Sequence, residues 1–150
     1  MRATWMFSKL ELTAQELKDE GIMYQKFPAN NYQPGLDIIK SYWGYQYQDV
    51  IELLPETPNL QAICDKFDKE HLHTDDEVRF VIFGEGVFDI RSGKDLWMHI
   101  KVEAGDFIRI PANRYHLFYL TETKHIRCVR LFKDNPSWVP RYRELAAIYS

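Results

Sequence analysis

The sequence predicts a mainly β fold, a small antiparallel β-barrel or sandwich preceded by short helices, and three observations predict it. From Glu70 onward, short extended runs alternate with turn residues at regular spacing. Before that point, apolar residues fall at helical spacing and the punctuation is that of helix ends. The chain has 150 residues, 45% apolar and 15% aromatic, which suffices for one domain with a buried core. On this reading residues 1–150 form a single unit, helical over 1–69, a barrel core over 70–133 and a tail over 134–150.

Taken in order, Thr13-Ala14-Gln15-Glu16 reads as a capping box that opens a short helix, and Gly21 stops it. Pro28 to Pro34 reads as loop, and Leu36–Trp43 and Asp49–Leu54 as two further helical pieces. Thr57-Pro58 is a start signal, after which Leu60, Ile63, Cys64 and Phe67 share one helical face. Extended runs follow at Glu77–Phe83, Val87–Ile90, Trp97–Val102, Phe107–Ile110, Tyr115–Thr121 and His125–Phe132. Between them, Gly84-Glu85-Gly86, Ser92-Gly93-Lys94-Asp95 and Glu103-Ala104-Gly105-Asp106 read as turns. The stretch Asn135–Pro140 reads as irregular, and Arg141–Tyr149 as a short final helix.

Composition narrows the function. The net charge of −3 comes with no basic run, so a nucleic-acid partner is not expected. Cys64 and Cys128 form neither a disulfide framework nor a CxxC pair, and both read as buried apolar positions in a reducing compartment. Met1 to Lys9 lacks the apolar core of a secretory signal, and no segment approaches bilayer-spanning length. The expectation is a cytoplasmic protein, with the nucleus open to it in a eukaryote, with no membrane partner and acting as a monomer.

The chemistry concentrates at His71-Leu72-His73. Two histidines one residue apart on a strand point the same way, so one strand end can present two imidazoles to one metal ion. Thr74-Asp75-Asp76 reads as a turn that brings Glu77 back at the head of the next strand, and His116 follows a second glycine-proline turn. The spacings are H-x-H-x3-E-x6-G, ending at Gly84, and G-x5-P-x4-H, from Gly105 through Pro111 to His116. Three imidazoles and a carboxylate suit a divalent first-row ion. Four ligands on an octahedral ion leave two positions, which, if adjacent, fit a bidentate oxygen ligand such as a diolate. Arg79 shares the parity of Glu77, so its guanidinium is expected inside, bracing Glu77, binding an anionic substrate, or both. Phe118 has the parity of His116, and Phe67 lies one helical turn before His71, so both are candidate pocket walls. His99 and His125 read as exposed and inert, Asp75 and Asp76 as turn residues, and Glu70 as facing away.

The two motifs resemble those of the cupin superfamily, metal-holding antiparallel β-barrels of jelly-roll type. Glu70-His71-Leu72-His73-Thr74-Asp75-Asp76-Glu77-Val78-Arg79-Phe80, then Gly84-Glu85-Gly86-Val87-Phe88-Asp89-Ile90-Arg91, then Gly105-Asp106, Ile110-Pro111-Ala112 and Tyr115-His116, and finally Arg130-Leu131-Phe132 with Pro136 and Trp138, resemble acireductone dioxygenases in particular. Asp65 stands where a general cupin carries glycine, six positions before the first histidine. The resemblance implies metal ligands at His71, His73, Glu77 and His116, a catalytic and substrate-binding Arg79, and apolar walls at Phe67, Val81 and Phe118. It further implies Fe(II) as cofactor, with Ni(II) possible, and as reactants O2 and an acireductone of methionine salvage. The family usually has Gly then Ile before Tyr-His and Arg after it, where this chain has Asn113, Arg114 and Leu117. Asparagine can take the left-handed backbone that such a turn requires. Two other readings fit the residues: another metal cupin dioxygenase or isomerase, and a non-catalytic metal-binding regulatory protein.

Overall fold

The computed structural model describes residues 1–134 and 140–143. Ten strands and three helices follow in the order β1 (Arg2–Trp5), α1 (Ala14–Asp19), β2 (Met23–Lys26), α2 (Gln33–Trp43), β3 (Tyr47–Leu53), α3 (Leu60–Phe67), β4 (His71–Leu72), β5 (Glu77–Arg91), β6 (Trp97–Glu103), β7 (Asp106–Ile110), β8 (His116–Leu120), β9 (Ile126–Phe132) and β10 (Arg141–Tyr142). Every pairing is antiparallel. One sheet runs β1–β6–β5–β8–β4–β10, and the other runs β2–β7–β5–β9–β3. The fold is the expected mainly β barrel of cupin type.

Strand β5 belongs to both sheets. Glu77 to Phe80 pairs with β7, Val78 to Gly84 with β9, and from Glu85 onward the same strand pairs with β6 and then β8. The expected turn at Gly84-Glu85-Gly86 is therefore no reversal. The register shifts between Val81 and Phe83, Gly84 takes φ +82°, and the strand bends there instead of ending. Glycine is required at that bend, because a Cβ would lie 2.1 Å from the carbonyl oxygen of His125.

The alternation along β5 places the site. Glu77, Arg79 and Val81 line an interior cavity, whereas Val78 and Phe80 join the apolar cluster beneath α2, with Leu36, Ile39, Phe107, Val129 and Leu131. Both faces of the strand are covered from Val78 to Val81, which explains the apolar run there, whereas Phe83 near the bend is exposed. A second cluster, including Ile90, Met98, Ile100, Ile108 and Ile110, fills the other part of the barrel.

Several local expectations hold. Thr13 Oγ1 accepts from the Glu16 amide at 3.0 Å and Glu16 Oε1 accepts from the Thr13 amide at 2.9 Å, which is the capping box of α1. On α3, Leu60, Ile63, Cys64 and Phe67 form the half-buried face, and none is fully buried, because Ile63 and Phe67 look into the cavity. Cys64 is thus less buried than expected, while Cys128 is buried as expected. Asn113 takes φ +61°, the left-handed turn foreseen for it.

Other expectations need correction. Asp49–Leu54 is not helical: residues Tyr47–Leu53 form β3, held by its whole length against β9 and by Arg130 on Asp49. Six residues of mixed pattern carry too little helical preference to resist that pairing. Strands β1 and β2 lie where no strand was expected, each recruited by a partner far along the chain, Arg2 opposite Lys101 and Met23 opposite Arg109. Helix α2 begins at Gln33, inside the expected loop, with its proline in the first turn. Arg141 and Tyr142 are strand, not helix, paired with Leu72 and His71. Arg143 is described and is not helical, while residues 144–149 of the expected final helix, and Asn135–Val139 with Pro136 and Trp138, lie outside the described residues.

Candidate metal centre

His71 sits in β4 directly opposite His116 at the head of β8, and His73 follows just beyond the strand. All three imidazoles are buried, at 1%, 3% and 2% exposure for His71, His73 and His116. Their ring centroids are 4.7 to 5.7 Å apart, and one nitrogen from each ring lies within 4.8 Å of the other two. Glu77 enters from the start of β5, with Oε2 2.5 Å from His116 Nε2 and Oε1 accepting from Arg79 Nη2 at 3.1 Å. Residues up to 45 positions apart in sequence thus meet beside the cavity.

The donor set fits a cation. His71 Nδ1 lies 2.6 Å from the Lys69 carbonyl, and His116 Nδ1 lies 2.8 Å from the Arg114 carbonyl. A carbonyl oxygen only accepts, so both Nδ1 atoms carry the hydrogen, and each neutral ring then turns an Nε2 lone pair inward. At His116 that lone pair meets the Glu77 carboxylate, a repulsive contact unless a proton or metal ion is shared there.

Electrostatics agree with this. Burial pushes His71 down to about 4, so the ring is neutral and available as a ligand near neutral pH. Burial opposes ionisation of Glu77, but Arg79 and then His116 outweigh it and hold the carboxyl well below the usual carboxylate range. His116 is also desolvated, yet the Glu77 charge and hydrogen bond raise it above the ordinary imidazole value.

The cavity has a volume of about 370 Å³. Phe67, Val81 and Phe118 line it, together with Arg79, which is 8% exposed and also donates to the Val78 carbonyl at 3.0 Å. Reading of the sequence missed several contributors, among them Ile51 and Leu53 of the unforeseen strand β3, Phe88, and Arg130. Arg130 stands opposite Arg79 in register and pairs with Asp49 at 2.8 Å, a relation that only the pairing of β5 with β9 reveals.

The remaining polar candidates lie apart from the imidazole cluster. His99 is not inert, since its Nδ1 is 2.7 Å from the buried carboxylate of Asp89. His125 is half-buried beside Phe83 and 3.5 Å from Glu52. Glu70 does face away, but it holds Arg91 and Arg143. Asp75 is exposed, whereas Asp76 is a half-buried acceptor for three donors and more than a turn residue.

Known proteins are similar to this chain along most of its length. Residues 4–140 match the family model described as "ARD/ARD' family". An acireductone dioxygenase of Heterostelium pallidum is 44% identical over 140 residues, covering 93% of this chain and 96% of that protein. One of Rattus norvegicus is 36% identical over 132 residues, covering 86% and 74%. The solved structure of an acireductone dioxygenase from Bacillus anthracis, with a cadmium ion in its active centre, superposes with a TM-score of 0.87 at 28% identity, covering 94% of this chain and 97% of that one. With a family match along nearly its whole length and the same fold around its histidine cluster, the chain belongs to the ARD/ARD' family of acireductone dioxygenases.

Proposed function

We propose that this chain is a metal-dependent dioxygenase that cleaves an acireductone, 1,2-dihydroxy-3-keto-5-methylthiopentene, with O2 in methionine salvage. The reading is carried by one observation: three buried imidazoles and a carboxylate converge at a largely apolar cavity, with the Arg79 guanidinium beside that carboxylate. His71, His73, Glu77 and His116 would hold the ion. When bound, a redox-active divalent ion supplies Lewis acidity toward the two vicinal oxygens of the substrate.

The chain's own residues do the rest. Arg79 keeps Glu77 ionised and places positive charge where the enediolate accumulates negative charge, in a setting with little water to screen it. The Lys69 and Arg114 carbonyls fix the rings of His71 and His116 in one tautomer. Phe67, Val81 and Phe118 bury the methylthio tail and hold the reacting carbons in place, so orientation supplies much of the rate. The cavity volume of about 370 Å³ is in the range for one small substrate.

With Fe(II) the products are 2-keto-4-methylthiobutyrate and formate, and with Ni(II) carbon monoxide, formate and methylthiopropionate. In both cases the two atoms of O2 end in products, and no outside reductant is needed. The intrinsic affinity order of such ligands favours nickel over iron, so supply in the cell decides which form predominates.

The test is aerobic decay of the acireductone chromophore with iron-loaded and nickel-loaded protein, followed by identification of products. Decay well above the spontaneous rate, with carbon monoxide from the nickel form alone, is expected. Decay at the spontaneous rate with metal bound would overturn the reading and leave a binding protein.

A further inference from the structure

The metal motifs occupy two loops, 73–76 after β4 and 111–115 before β8, and these loops are joined to each other. The Asn113 amide donates to the His73 carbonyl at 2.8 Å. The Ala112 amide donates to Asp76 Oδ1 at 3.0 Å. On its other oxygen, Asp76 accepts from the Tyr45 hydroxyl at 2.8 Å and from Arg109 Nη2 at 3.1 Å. Arg109 Nε donates in turn to the Tyr45 oxygen at 3.0 Å, which closes a triangle, and its guanidinium lies 4.3 Å over the Trp43 ring. Tyr45 is anchored in the apolar cluster beneath α2. Asp76 therefore ties both loops to a rigid part of the barrel, and it immediately precedes Glu77.

We infer that Asp76 is a positioning residue for the metal centre: it clamps the loop leading to His116 onto the loop carrying His73 and Glu77, and so sets the spacing of the ligands. It touches no ligand atom in doing so. The carboxylate suits this role because all three of its partners are donors, and an acceptor with two oxygens satisfies them together. A carboxamide at the same place keeps one acceptor but turns an NH2 group toward either the Ala112 amide or the Tyr45 and Arg109 donors. Partners of ligand-bearing segments commonly influence metal affinity by one to two orders of magnitude.

The inference rests on the metal reading above, and the experiment separates the two. Co(II) titration followed by its visible d–d absorption would be run on the wild-type chain, Asp76→Asn, Tyr45→Phe and Leu36→Ala. Leu36→Ala removes fully buried apolar volume but no hydrogen bond of the joint, so it reports loss of stability alone. Asp76→Asn is expected to bind Co(II) about 10- to 100-fold more weakly, with a shifted d–d spectrum. Tyr45→Phe, which deletes one of the three contacts, is expected to fall between it and wild type, and it keeps the test open if Asp76→Asn does not fold. Wild-type affinity and spectrum in Asp76→Asn, or an equal loss in Leu36→Ala, would overturn the positioning role while leaving the metal site standing. No Co(II) binding by the wild-type chain would instead overturn the metal reading itself, and the inference with it.

Discussion

Arg79 is placed to brace Glu77 and, on the proposed function, to meet the substrate. It is nearly buried, within reach of Glu77 and of the cavity, and a guanidinium in that position is costly unless anions meet it. Glu77 is such an anion at all times, and a substrate enediolate would be a second. Arg79→Ala is expected to lower kcat/KM by about a hundredfold or more, as loss of an electrostatic stabiliser does, while the chain still binds its metal ion. Steady-state kinetics and metal analysis on the same preparation check this, and undiminished turnover would confine Arg79 to bracing Glu77. The parity of Arg79 with Glu77 was legible in the sequence because side chains on a strand alternate strictly. The role of Asp76 was not, since a turn-forming residue and a three-donor acceptor look alike until Tyr45 and Arg109 are brought beside it.

At the scale of elements, β5 carries the most consequence, because the bend at Gly84 lets one strand serve two sheets. Gly84→Ala adds a methyl group that would collide with the His125 backbone at a φ that L residues rarely adopt. The expected cost is about 2–4 kcal/mol, read as a lower urea midpoint at unchanged m-value. Legibility of the elements followed the distance to their partners. Strands β6 to β9 declare themselves through clear turns, and the capping box at Thr13 and Glu16 is a local signal with a local structure. β1, β2 and β3 depend on pairing with residues roughly 70 to 100 positions away, so nothing in their own composition could announce them. The clear exception is Gly84-Glu85-Gly86, where residues that favour a turn supply a bend within a strand.

For the whole molecule, the network around Asp76 links pH to stability. Burial first, and then the Asp76 hydrogen bond, push the Tyr45 phenol up from 10.0 to about 12, with Arg109 opposing. Between those values the unfolded chain releases this proton and the folded chain keeps it, so stability falls as pH rises. The contribution is complete below pH 10 and is lost by about pH 12; two units correspond to roughly 3 kcal/mol. Urea unfolding of the wild-type chain from pH 9 to 12 should therefore show a steeper decline than Tyr45→Phe, and parallel curves would contradict the assignment.

The pairing order also dictates how the protein can be made. Three of the four sheet edges, β1, β2 and β3, come from the N-terminal part of the chain, yet their hydrogen-bonding partners lie between residues 98 and 132. On a ribosome these early segments emerge long before anything they can pair with, and the strand bearing His71 must also wait for His116. The nascent chain therefore carries unsatisfied edges through most of its synthesis, so its yield in a cell depends on what shields them until the last strands appear.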